Sequence, residues 1–432
     1  LGAFVAAFYL LSKYGVGATY GFAIALAVLV GVLALVLDRW YKSPYPIIDE
    51  TSKYPVNSKK TTDFAFQLSQ NQFIIVAFFS GALALSAETL WTKMFAQVLQ
   101  NSVYSFAAIL VVFLLALGLG GVLSHILVRL GAPSKTLLIL LLSTAAVLIG
   151  LSPTVFNSAT NGLEYLAINA SWFTYIWSVF KLSLMVIMPP TIILGAVFPF
   201  LLKAAPKIDM PSGSIVGKLV LYNSLGGFVG PVLAGFFLLD IAGLWNSIKI
   251  IALLYGILAL LIAFPSYRKK KIFFLLWPVV VILGIMVLEN PPIVKLENGE
   301  KVLDYWQSSD GVVSIVQLPE NIEMRLDNFY VLGDSKSFLV EQMQAHVPLM
   351  IHPAPKKVVF LGMGTGVTAG AALNHEVEKV IAVELVSNVI PAAKRYFSPW
   401  TNGLFKDKRA NIVADDARNF LLGTNEQFDV IV

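Results

Sequence analysis

Three glycines, Gly362, Gly364 and Gly366, stand in the run Gly362-Met363-Gly364-Thr365-Gly366, after the apolar β-branched segment 357–361 and before a helix-compatible stretch, 367–374. A strand, a glycine turn and a helix let the backbone approach a bound nucleoside while the first helical amides face it. A second apolar segment, 380–383, ends in Glu384, where a carboxylate can accept both hydroxyls of a ribose. A third, 411–414, runs into Asp415-Asp416-Ala417-Arg418. That places Asp416, with Ala417 beside it, at the next strand tip, where it could accept from an adenine amino group. Position 367 is Val, so the third spaced glycine of a pyrophosphate turn is missing, and no Gly-Lys-Ser/Thr follows. The pattern therefore favours an S-adenosyl group over a phosphate-bearing cofactor. An ordinary α/β domain with acids at its loop starts is the plainer alternative, and three such features in order argue against it.

The elements that must position these residues occupy the end of a chain with two compositions. Of 31 Lys and Arg, 18 fall in residues 1–290, with only 9 of the 26 Asp and Glu. Overall 57% of residues are hydrophobic and 13% charged, which excludes a wholly soluble globule. The overall charge of +5 averages a basic first part and an acidic second, so it says nothing for nucleic-acid binding. With no Cys and four His, no disulfide, thiolate nucleophile or metal site is expected. We read a transmembrane helical bundle over 1–290, a β-hairpin region with a linker helix over 291–350, and a Rossmann-like domain over 351–432. In the middle region, 311–317 and 322–331 read as strands joined at Pro319-Glu320-Asn321, followed by amphipathic sequence over 337–351. A fourth strand of the Rossmann-like part begins at Phe428-Asp429-Val430.

Apolar stretches long enough to span a bilayer fall near 1–11, 16–38, 72–98, 103–128, 136–156, 172–202, 217–239, 244–264 and 272–289. The chain opens inside an apolar run, so the first helix reads as cut. Arg39, Lys42, Lys53, Lys59, Lys60, Arg129, Lys135, Lys203, Lys207, Lys218 and Arg268–Lys271 follow alternate helices, which marks that side as cytoplasmic. By parity the polar C-terminal part then lies outside the cytosol, unless 172–202, broken by Pro189-Pro190, is two passes or 272–289 re-enters. Gly2, Ala6, Phe8, Leu10, Leu11 and Gly15 match Gly230, Ala234, Phe236, Leu238, Leu239 and Gly243 at a constant offset of 228 residues. Six helices separate the copies, so the repeats run parallel, as in major-facilitator bundles, with the first half almost absent. Glu88, within a span, is the polar candidate for a substrate or proton site, against the reading of a carboxylate satisfied by a neighbour. Lys181 reads as a snorkelling residue and His125 as interfacial. Gly118, Gly120, Gly121, Gly226 and Gly230 read as helix-packing positions. His346, His352 and His375 read as structural, with His346 the one that could line an acceptor cleft.

Residues 302–432 resemble the start of a spermidine synthase in Leu326-Asp327-Asn328, in the run from His352 to Val358 into the glycine loop, in Val383-Glu384, and in Asp416-Ala417-Arg418-Asn419-Phe420. The whole chain resembles bacterial membrane proteins that fuse a major-facilitator-like bundle to such a domain. The runs Ala84–Trp91 and Leu221–Gly227 carry that likeness. The resemblance implies that Glu384 binds ribose, that Asp416 binds adenine, and that the 362–366 loop holds the thioether region of S-adenosylmethionine or its decarboxylated form. The family's loop Asp is Thr365 here, its Tyr-His pair is Val340-Glu341 and its hairpin Gln is Gly311, all positions that help hold amines. The family's general base, an Asp after the fourth strand, is expected beyond Val432, so no catalytic residue is assigned and the domain reads as truncated at its C-terminus.

The expected function is a transferase in the cell inner membrane, alkylating a small-molecule amine or other nucleophile by aminopropyl or methyl transfer. The bilayer is its partner, and an oligomer or partner membrane proteins are possible. The alternative is a major-facilitator-type transporter or flippase whose synthase-like domain senses cargo or is inactive.

Overall fold

The computed structural model describes residues 2–40, 69–100, 102–130, 134–167, 169–204, 212–264 and 273–432. Lys42, Lys53, Lys59, Lys60, Lys207 and the basic run 268–271 lie outside the described residues. Among the described residues the regular elements of the first part are all helices. Helix α1 (Gly2–Val5) passes through a π-helical turn (Ala6–Leu10) into α2 (Leu11–Trp40). It is followed by α3 (Gln70–Ala96), α4 (Val103–Arg129), α5 (Ser134–Ala159), α6 (Trp172–Val186) and α7 (Met188–Ala204). Then α8 (Ser212–Leu233) runs through a second π-helical turn (Ala234–Leu238) into α9 (Leu239–Ala263), and α10 (Phe273–Val287) ends the helical part.

Short polar residues start several of these helices by satisfying amides that lack an intrahelical partner. Ser69 and Gln72 form a reciprocal capping box at α3, and the side chains of Ser102 and Ser171 accept from Ser105 and Thr174 N–H at α4 and α6. Among the described residues five helices are long and apolar enough to cross a membrane, and six if α6 and α7 form one span. That pair is bent by 56°. The break falls where Pro189-Pro190 removes two backbone donors, which the first turn of α7 tolerates and a continuous helix does not.

The repeat in the sequence is also a repeat in backbone geometry. Gly15 (φ 75°, ψ 177°) and Gly243 (φ 73°, ψ 173°) make the same non-helical break. Each break is preceded by a π-turn at the same offset.

Small residues set the closest helix approaches. A Cβ on Gly226 would lie 2.0 Å from the Phe78 carbonyl oxygen, one on Gly230 would lie 2.2 Å from that of Ala82, and one on Gly120 would lie 2.4 Å from that of Ile192. Gly118 and Gly121 differ from expectation: nothing lies within 4 Å of their Cβ positions. Glycine spacing along α4 cannot say which of its faces meets α7.

Beyond the helices, an antiparallel sheet runs in the order β1 (Lys301–Ser308), β2 (Gly311–Gln317), β3 (Ile322–Leu326), β4 (Tyr330–Asp334). The stretch 322–331 is therefore not one strand. Asp327 and Asn328 adopt φ of 49° and 61°, the left-handed region these two residue types tolerate, and turn the chain back on itself. Helix α11 (Phe338–Ile351) leads to a parallel sheet, β5 (Lys357–Leu361), β6 (Lys379–Glu384), β7 (Ala410–Ala414) and β8 (Val430–Ile431), in the order β7-β6-β5-β8. Helices α12 (Val367–Ala371), α13 (Val389–Tyr396) and α14 (Ala417–Gly423) connect these strands.

The antiparallel sheet sits on one end of the helical part. The Gln97 amide donates to Asp327 Oδ1 (3.0 Å) and its oxygen accepts from Asn328 (3.1 Å). Leu244 N–H, freed by the Gly243 break, donates to Gln307 Oε1 (2.7 Å), and Ser309 N–H donates to Asp240 (2.9 Å). Phe329 stacks on Tyr165 with ring centroids 3.7 Å apart. Arg129, Lys135, Lys203 and Lys218 lie at the opposite helix ends, where Lys203 approaches His125 Nδ1 at 2.9 Å. Glu88 is half-buried on α3 and makes no side-chain hydrogen bond or ion pair among the described residues, while Lys181 is exposed.

Replacing Gly226 by Ala forces a methyl into a backbone carbonyl and separates α3 from α8. The purified protein in detergent should lose thermal stability by several degrees, on the order of 1–3 kcal/mol of overpacking. Gly118→Ala, with open space around it, should leave the melting temperature unchanged, and equal shifts in the two variants would contradict the packing described.

Candidate functional site

The glycine turn leaves β5 with φ of 115° at Gly362, 53° at Gly364 and 80° at Gly366. These values exclude ordinary side chains and explain why the segment carries three glycines. Nothing lies within 4 Å of a Cβ placed on Gly362, so the backbone there faces open space that a ligand could fill.

Glu384 ends β6 and is 8% exposed. Its Oε2 accepts from Met363 N–H (3.1 Å) and Gly364 N–H (3.0 Å), and its Oε1 accepts from Val386 N–H (3.0 Å). The carboxylate therefore clamps the glycine turn, and any ribose contact would use its remaining lone pairs. Asp416, at the tip of β7, is the N-cap of α14: its Oδ1 accepts from Arg418 (2.8 Å) and Asn419 (3.0 Å). Ala417 is the first residue of that helix.

On the other side of the turn, beyond the tips of β5 and β8, lies a cavity of about 460 Å³. Gly362, Met363, Gly364 and Thr365 line it, with Gly333, Asp334 and Glu341 opposite; Glu384 and Asp416 do not. The structure thus spreads the expected residues along the strand tips, the glycine turn and Thr365 at the cavity and the two tip acids beside it. Gly366 closes the turn as the N-cap of α12.

The sequence marks Glu341 only as a departure from the pattern it resembles, and the structure ties its carboxylate to the glycine turn. Its Oε2 accepts from the Thr365 hydroxyl, its Oε1 accepts from Asp334 N–H (3.3 Å), and its carbonyl accepts from Thr368 (3.0 Å). Burial pushes its carboxyl above the usual range, Thr365 and the Asp334 amide oppose that, and the Asp334 charge adds to it. Gly333 makes this packing possible: a Cβ there would lie 2.6 Å from both Glu341 Oε1 and Thr365 Cγ2. At Asp334 burial acts upward, but donation from Ser337 and Lys336 N–H outweighs it and holds that carboxyl below its ordinary value.

His346 on α11 pairs with His375, Nδ1 to Nε2 at 2.8 Å, and neither lines the cavity. Among the described residues no group of three or more His, Asp or Glu could hold a metal ion.

With this geometry in hand, comparison with known proteins identifies the region. The family model described as spermine/spermidine synthase domain matches residues 337–432. The chain is similar to the polyamine aminopropyltransferases of Thermotoga neapolitana and Thermotoga maritima, each 34% identical over 134 residues, 31% of this chain and 45% of theirs. It is also similar to polyamine aminopropyltransferase 1 of Aquifex aeolicus, 33% identical over 134 residues, 31% of this chain and 48% of that one. Among solved structures, spermidine synthase from Thermotoga maritima matches at 35% identity with a TM-score of 0.29, covering 30% of this chain and 45% of that one. A spermidine synthase in complex with the transition-state analogue AdoDATO matches at the same identity and TM-score. The chain spans about half the length of these relatives. Its C-terminal region is a spermidine synthase-like domain with a Rossmann-like sheet.

Burial first, and the adjacent His346 second, hold His375 below its ordinary value of 6.5. The unfolded chain then takes up the proton more readily than the folded one. Stability is fully present above about pH 6.5 and is lost as pH falls through the lower folded value. Denaturation midpoints should fall as the pH is lowered from about 7.5 to about 5. His375→Gln should flatten that fall, and identical acid slopes in both proteins would contradict the pairing.

Proposed function

We propose that this chain is a multi-pass membrane protein whose C-terminal domain binds an S-adenosyl donor, specifically decarboxylated S-adenosylmethionine, and transfers its aminopropyl group to a small amine. The observation that carries this is the clamped glycine turn opening onto a cavity at the strand tips, in the region where the relatives are aminopropyltransferases. The adenosine would lie across the tips of β6 and β7, near Glu384 and Asp416, with Gly362 leaving room for the sulfonium. The amine lone pair attacks the aminopropyl carbon on sulfur. The C–S bond breaks with its electrons staying on sulfur as a neutral thioether, and the new secondary ammonium sheds a proton. Holding the two reactants together supplies much of the acceleration, because a sulfonium is already a good leaving group.

The helical part is read as a major-facilitator-like bundle in the cell membrane. The geometric repeat around Gly15 and Gly243 and the five span-length helices support that reading. The soluble domain docks on the helix ends opposite Arg129, Lys135, Lys203 and Lys218, which supports a domain facing away from the cytosol.

Calorimetry with 5′-methylthioadenosine tests the site. Asp416→Ala and Glu384→Ala should each weaken binding by about tenfold or more, the scale of a lost charge-assisted hydrogen bond. Unchanged affinity in both variants would reject the reading. Orientation is tested separately. The chain has no Cys, and the Lys336 side chain is 68% exposed, so Lys336→Cys offers a single thiol. It should react with an impermeant maleimide in intact cells, whereas labelling only after lysis would place the domain in the cytosol.

A further inference from the structure

The cavity beyond β5 and β8 contains a carboxylate that the adenosine-binding reading does not use. Glu341 is half-buried at its wall, and both of its bonded donors are neutral, the Thr365 hydroxyl and the Asp334 amide. Among the described residues no Lys, Arg or His forms an ion pair with it, and its charged neighbour is another acid, Asp334. An acid so placed lacks the cation that would offset its desolvation. Each carboxylate oxygen accepts one hydrogen bond from the protein and has capacity for another. The arrangement is built, since Gly333 admits the carboxylate and Thr365 at the end of the glycine turn orients it. Leu332, Val340, Phe360 and Met363 add an apolar stretch to a wall that also carries Ser337, Gln344 and Thr368. A short hydrocarbon arm ending in an ammonium matches both features.

Topology decides which arm. In the order β7-β6-β5-β8 the tip acids Glu384 and Asp416 lie on one side of the glycine turn, and this cavity lies on the other. A nucleoside held at the tip acids therefore sends its 5′ substituent across Gly362 toward Glu341. We infer that Glu341 anchors the terminal ammonium of the donor's side arm. It thereby selects an arm that carries an amine alone over one that also carries a carboxylate, which would face both Glu341 and Asp334. This inference rests on the adenosyl-site reading above and adds the determinant of donor choice.

The test uses the purified full chain in detergent and three ligands: 5′-methylthioadenosine, S-adenosylmethionine and decarboxylated S-adenosylmethionine. The unaltered protein should bind the decarboxylated donor at least about tenfold more tightly than S-adenosylmethionine, the factor expected for one charge-assisted bond against one repulsion. Glu341→Gln should bring the two donors near parity and leave methylthioadenosine, which has no charged arm, within about twofold. Glu341→Asp should restore part of the preference. A preference that survives Glu341→Gln overturns the inference while leaving the site itself intact. An equal loss for methylthioadenosine also overturns it, by giving Glu341 a merely structural role. Failure of the unaltered protein to bind any of the three removes the adenosyl site, and the inference with it.

Discussion

The carboxylate of Glu384, accepting three backbone amides from the end of β6, is the contact around which the rest of the site is arranged. A turn with three glycines is conformationally permissive, and left alone it would pay heavily in entropy to hold one shape. Two bonds from Met363 and Gly364 to one buried oxygen select that shape. They hold Gly362 with its open side toward the cavity and leave Thr365 facing Glu341. A separate bond, from Asp415 N–H to the Glu384 backbone carbonyl, ties β7 to the same point and so places the loop that carries Asp416.

From that point mechanical continuity runs back to the helical part. The Leu332 carbonyl lies 3.2 Å from where a Cβ on Gly364 would be, so β4 forms the outer wall of the turn. The turn that begins β4 is Asp327-Asn328, and Gln97 at the end of α3 bonds to both residues. Burial raises the Asp327 carboxyl, and the donated Val312 N–H and Gln97 amide oppose it only in part. The antiparallel sheet is thus an intermediary, with the turns at one end of its strands fixed to the helices and β4 closing the cavity. A buried polar junction of this kind tolerates few alternative registers, because each misplaced donor or acceptor would be left unsatisfied.

Much of this was legible in the linear sequence where the cause is local. The glycine turn, the acids at two strand ends and the 228-residue repeat all express constraints that act within a few residues, such as positive φ, capping and π-turn geometry. The repeat is the clearest case, since the same residue types at Gly15 and Gly243 produce nearly the same dihedral angles. The split of 322–331 into two strands escaped because its apolar pattern continues across Asp327-Asn328. Only the left-handed conformation of those two residues reverses the chain. Glu341 escaped for a different reason: its partner Thr365 is 24 residues away, beyond a helix and a strand.

What the sequence determined by itself is the chemistry available: an apolar helical part, no thiol, a nucleoside-type turn and carboxylates near it. Residue type and short-range spacing suffice for that, because backbone conformation and polarity are local properties. Which of those carboxylates clamps the turn, which caps a helix and which faces an open cavity without a cation was decided only by the tertiary structure. Each role depends on the amides and charges that distant segments bring within hydrogen-bonding reach.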